Sequence, residues 1–170
     1  LYNRCRDVYF GKDGFEGEEG PLDYMLGVNF HIDFKKQSIK ISGTSSINKV
    51  LERYGKPKRG SKIPMLGSDS DLQFAELPVE GSVEQLVLRE RAARYLSLVP
   101  SILYIATTCR PDICFAVGIL CRCLSNPSLR HLEAAETLLA YLMDTSEMGI
   151  LYEHSGDTRG LSVMYSTLKE

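Results

Sequence analysis

No apolar run in the sequence is long enough to span a bilayer. The longest, LVPSILYIATTC at 98–109, contains a proline and is closed by Arg110, Pro111 and Asp112, far short of the roughly 20 residues a membrane helix needs. The glycine-rich phosphate cradles GxGxxG and GxxxxGK[ST] are both missing. No basic and apolar leader follows Leu1, so no signal peptide is expected, and the chain reads as a piece of something longer. The five cysteines are odd in number and have no framework spacing, which implies reduced thiols in an intracellular, cytoplasmic setting.

Metal and catalytic constellations are equally scarce. Cys109, Cys114, Cys121 and Cys123 follow C-x4-C-x6-C-x-C, without the C-x2-C knuckles of zinc modules. Cys114 and Cys121 are seven apart, on one predicted helical face among Phe115, Val117 and Leu120, which points to core packing. His31 in an apolar strand, His131 at a helix start and His154 in a turn have no spacing partner that would make a nucleophile and base pair. Asp69 and Asp71 in the GSDSD stretch read as turn carboxylates, with no third ligand near. No catalytic residue, metal ligand or resident cofactor is expected.

What the chain does have is enough apolar content to fold and a lopsided charge. At 170 residues and 44% apolar, it has room for one domain or two small subdomains sharing a core. The net charge of -2 conceals a basic stretch from Lys35 to Lys62. There Lys35, Lys36, Lys40, Lys49, Arg53, Lys56, Lys58, Arg59 and Lys62 stand against Glu52 alone, a balance of +8, while the remaining 11 basic and 21 acidic residues give -10. A basic segment on an acidic body suits phosphate, because each cation that neutralises a phosphate releases condensed counterions; its plainer reading is a solvated charged face.

The pattern of elements predicts an α+β fold: a β-hairpin with a short helix, then a helical bundle, then a short C-terminal strand pair. Residues 11–21, GKDGFEGEEGP, read as a leading loop. LDYMLGVNFHIDF, the turn-like KKQS and the short IKI read as the hairpin, with Gly27 inside the first strand marking a bulge or a close backbone approach. The Ser/Thr cluster at 44–46 offers an N-cap for a helix with Ile47, Val50, Leu51 and Tyr54 on one face and Gly55 at its end. After a connector over about 56–82, helical spacing resumes at Val83, and Pro100 implies either a helix start or a kink. Arg110, Pro111 and Asp112 signal a helix through about Leu124, ended by Asn126 and Pro127, and Ser128 precedes a last helix through about Met143. GILYE and LSVMY read as strands around HSGDTRG.

Two stretches, taken in order, resemble the reverse transcriptase of copia-type LTR retrotransposons: GPLDYMLGVNF at 20–30 and YLSLVPSILYIATTCRPDICFAVGILCRCLSNPSLRHLEAAETLLAYL at 95–142. INKVLERYG at 47–55 and IPM at 63–65 resemble the family's short helix and its following proline. The resemblance implies a Pol polyprotein fragment. Its units would be a leading loop (1–21), the end of the palm with its primer-contacting hairpin (22–66), a linker (67–82), a helical thumb (83–146) and the start of a ribonuclease H connection (147–170). The polymerase aspartates of a Tyr-Val-Asp-Asp motif would stand upstream, so the chain alone is expected to be inactive, with magnesium belonging to the parent enzyme. Tyr24, Leu26 and Gly27 would lie in the hairpin, and the basic segment would track the phosphates of a template-primer duplex. The partners implied are that RNA/DNA duplex and the rest of the polyprotein, with no membrane.

Several positions depart from the family's pattern. Pro100 stands where glycine is common and Leu132 where tryptophan is. Glu136, Thr137, Ala140 and Met143 replace basic residues of the final helix. Thr167 takes the place of a metal-binding aspartate, so ribonuclease activity is expected to be absent, a hydroxyl being no substitute for a carboxylate on magnesium. The lost thumb charge leaves open a second reading, a decayed or repurposed fragment that binds protein or has no function.

Overall fold

A computed structural model describes residues 22–65, 72, 79, 81–125, 127–154 and 161–166. The strands are β1 (Tyr24–Met25), β2 (Val28–Asp33), β3 (Ser38–Ser42), β4 (Gly149–His154) and β5 (Leu161–Ser166). The helices are α1 (Thr44–Tyr54), α2 (Val83–Cys109), a 3₁₀ turn (Pro111–Ile113), α3 (Cys114–Arg122) and α4 (Leu129–Asp144). This is the expected α+β layout. The leading loop, Asp69, Asp71, Asn126 and Thr167 lie outside the described residues.

The five strands form one antiparallel sheet in the order β1-β2-β3-β4-β5. Ile41 of β3 faces Ile150 of β4, so strands from either end of the described residues share a sheet, with the four described helices between them in sequence. At Gly149 an added Cβ would lie 2.2 Å from the Ile41 carbonyl oxygen, so only glycine lets the strands meet there.

The core sits among the helices. Ile47 and Leu51 of α1, Leu98, Val99, Ile102 and Ile105 of α2, Val117 and Leu120 of α3, and Leu138, Leu139 and Leu142 of α4 are all buried. Tyr95 is 1% exposed, and its hydroxyl donates to the Leu120 carbonyl at 2.8 Å, binding α2 to α3 without leaving a polar atom unmet.

Four sequence expectations change. Gly27 does not interrupt a strand: with Leu26 it forms the two-residue turn between β1 and β2, both at positive φ (51° and 84°), the conformation that matches the strands' right-handed twist. Gly43, rather than a Ser or Thr, caps α1 with no side-chain bond; instead Asn29 Oδ1 of β2 accepts the Ser45 N–H at 2.9 Å. Of the two alternatives at Pro100 the helix start falls away, because α2 runs through it for 27 residues. The roughly 3 kcal/mol a mid-helix proline costs is outweighed by the buried Leu98, Val99, Ile102 and Ile105, each contributing about 1.5–3 kcal/mol. Cys114 is exposed and Phe115 is 64% exposed; α3 buries the opposite stripe of Ala116, Val117, Ile119 and Leu120, and the buried thiol is Cys109.

A buried charge joins the last turns of α2 and α4. Arg110 is fully buried. Its guanidinium makes two bonds to Asp112 (3.0 and 2.9 Å), one to the Thr145 carbonyl and one to its hydroxyl (both 2.7 Å). Tyr141 lies with its ring 5.5 Å from the guanidinium and donates its hydroxyl to Asp112 at 2.9 Å. The Arg-Pro-Asp sequence thus closes the C-terminal end of the bundle as well as starting a helical turn.

Candidate nucleic-acid interface

The hairpin turn between β1 and β2 is the best-fixed part of the candidate surface. Tyr104 of α2 donates its hydroxyl to the Leu26 carbonyl, and Ser46 of α1 donates to the Gly27 carbonyl at 2.6 Å. A Cβ on Gly27 would lie 2.5 Å from Ser46 Oγ, so what crowds this glycine is a side chain of α1 rather than the second backbone expected of it. Lys49 Nζ donates to the Tyr24 hydroxyl at 3.0 Å and lies 5.5 Å from the ring centroid. That hydrogen bond holds the ammonium charged, raising its pKa. Tyr24, Met25 and Leu26 remain exposed, Leu26 at 77%. A groove of about 300 Å³ runs beside the turn, lined by Ser46, Lys49, Val50, Ser101, Tyr104 and Ile105.

The structure spreads the nine basic residues over several elements. Lys35 and Lys36 are exposed on the four-residue turn between β2 and β3. Lys49 and Arg53 are exposed on α1, Arg53 lying 5.3 Å from the Tyr54 ring. Lys56, Lys58, Arg59 and Lys62 are exposed on the irregular chain after Gly55. Lys40 is the exception at 7% exposure. It lies in the middle of β3, flanked across the ladder by His31 and Leu151, and burial lowers its pKa against the pull of Glu147. It is therefore buried and not among the exposed cations.

Sequence reasoning missed Tyr104, Ser46 and Arg94. Arg94 of α2 donates to the Tyr54 carbonyl at 2.6 Å and to Glu136 of α4 at 2.8 Å, tying α1, α2 and α4 together. Nothing in the local pattern signals these contacts, since their partners lie 19 to 78 residues away. No helix among the described residues is long and apolar enough to cross a membrane.

Comparison with known proteins places this arrangement. A retrovirus-related Pol polyprotein from transposon TNT 1-94 of Nicotiana tabacum is 30% identical over 128 residues, 75% of this chain and 9% of its own length. A putative transposon Ty5-1 protein of Saccharomyces cerevisiae is 42% identical over 151 residues, 85% of this chain and 43% of its own length. The chain belongs to the retrotransposon Pol family. It spans less than half of either relative. A secreted RxLR effector protein 161 of Plasmopara viticola is also similar, 35% identical over 65 residues, covering 38% of this chain and 46% of its own length. No family model and no solved structure matches the chain. The Pol similarity runs through most of the chain, 75% and 85% of it in the two relatives.

Proposed function

We propose that this Pol segment is a non-catalytic C-terminal part of a copia-type reverse transcriptase and holds the template-primer duplex by its phosphates. The observation that carries the reading is the set of eight exposed cations, on the β2–β3 turn, on α1 and on the chain that follows it, of which Lys49 bonds Tyr24 beside a hairpin turn fixed by Ser46 and Tyr104. Exposed ammonium and guanidinium groups meet phosphates without reading base edges, so binding is indifferent to sequence and sensitive to salt. The acidic balance of -10 elsewhere in the chain keeps the affinity modest.

The test is titration of a blunt RNA–DNA hybrid at several salt concentrations. With on the order of four phosphate contacts, log affinity falls against log salt with a slope of about -3 to -4. Replacing Lys35, Lys36, Lys49 and Lys58 with alanine flattens that slope by up to about 3 units and leaves the fold intact, since exposed lysines contribute little to stability. Binding that is undetectable at low salt, or that survives the four substitutions unchanged, removes the duplex-holding role. A repurposed fragment that docks on protein is the second reading. It is favoured by the groove between α2 and α4, which is lined by Val87, Leu129 and Leu132 with Arg91, Arg94, Glu133 and Glu136 as its charged residues.

A further inference from the structure

The turn between β2 and β3 carries the most exposed large apolar side chain among the described residues. Phe34 is 85% exposed, although aromatic rings ordinarily contribute to a core. The turn beneath it is held in place. Asp33 Oδ1 accepts the N–H groups of Lys35 (2.9 Å) and Lys36 (3.0 Å), Gln37 sits in the left-handed region at φ 51°, and the ladder is closed by Asp33 opposite Ser38. The ring borders a groove of about 580 Å³ whose walls are Ile32, Asp33, Phe34, Gln37, Ser38 and Ile39, with Ile39 itself 40% exposed. Two exposed lysines follow the ring directly in sequence.

Phosphate contacts alone would not require an exposed ring. An aromatic face beside two ammonium groups matches a different ligand, an unstacked nucleobase with its flanking phosphates: every base offers a π-face, and cations beside the ring hold the backbone. A duplex interior hides those faces, whereas a single strand offers them. We infer that Phe34 is a stacking platform for an unpaired base of a single-stranded nucleic acid, with Lys35 and Lys36 holding the adjacent phosphates. The inference rests on the template-holding reading and adds the unpaired part of the template to it.

The chain contains no tryptophan, so Phe34→Trp introduces a single indole at the turn. The full chain carrying it is titrated with a single-stranded oligonucleotide of about ten nucleotides and with an abasic strand of equal length and charge. Quenching by the base-bearing strand and not by the abasic one is the expected result. In a separate variant, Phe34→Leu lowers affinity for the base-bearing strand by about 5- to 100-fold, leaving the abasic strand and the salt slope for the blunt hybrid unchanged. If the hybrid binds with that slope but the two single strands bind and quench alike, stacking is overturned and the duplex reading stands. If neither strand nor hybrid binds, both fail. Self-association in sedimentation that Phe34→Leu abolishes, with no discrimination between the strands, assigns the ring to a protein contact and also overturns the proposal.

Discussion

The helical block and the hairpin edge handle charge and apolar surface in opposite ways. Among the helices, Arg110 is fully buried and its guanidinium is met on all sides by Asp112, Thr145 and the Tyr141 ring. Along the hairpins, Leu26 and Phe34 are left in solvent, and the cations beside them remain exposed. A buried charge needs complete hydrogen bonding to be tolerated, so the first arrangement serves the integrity of the bundle. An exposed ring next to exposed ammonium groups adds nothing to that integrity. The difference ties stability to one region and leaves the other as the surface proposed for recognition.

The largest effect expected is on the helical side. Arg110→Ala leaves the Asp112 carboxylate without its bidentate partner in a site where Asp112 is only 18% exposed, and should lower stability by about 3–5 kcal/mol in urea unfolding. A loss under 1 kcal/mol would mean that the network is dispensable and the contrast between the regions overstated.

His131 provides an intermediate test. Buried at the start of α4, its Nδ1 accepts the Ser128 N–H at 2.8 Å, so Nε2 carries the proton and donates to the Leu72 carbonyl at 2.8 Å. His131→Leu strands a donor and an acceptor and should cost about 1–3 kcal/mol, read as a lowered thermal midpoint. An unchanged midpoint would show that Leu72 is not held to α4 through this ring.

The smallest effect belongs to the hairpin edge. The Lys36 and Lys35 N–H groups hold the Asp33 carboxyl below its ordinary value of 3.8. A depressed carboxyl stabilises the fold above the unfolded value, and that contribution disappears as pH falls through the lower, folded one. Amide resonances of Lys35 and Lys36 should therefore shift in acid while those of α2 and α4 stay put, and Asp33→Asn should abolish the titration. Loss of both regions together at one pH would mean that the turn is not locally autonomous.

Much of this architecture was legible from periodicity and punctuation. α1 and α4 follow from apolar residues at three- and four-residue spacing, with Gly55 and Ser128 at their ends. The strands around residues 155–160 follow from short β-rich runs. Pro100 left a helix start open because local propensity counts only the broken helical bond, whereas the buried side chains on either side of it outweigh that cost. Cys114 misled, although Cys121 does pack against the core, because a helical repeat says which residues share a face but not how far around the helix the core reaches.

The sequence by itself determined the order and type of most elements, that a basic stretch interrupts an acidic chain, and the resemblance to Pol, because these are properties of neighbouring residues or of their order. Tertiary structure decided that β3 pairs with β4 across the whole helical insertion, that Lys40 is buried while its eight basic companions are exposed, and that Tyr104 and Ser46 fix the turn at Leu26 and Gly27. Those outcomes depend on contacts between residues up to about a hundred positions apart, whose energies a local pattern does not contain.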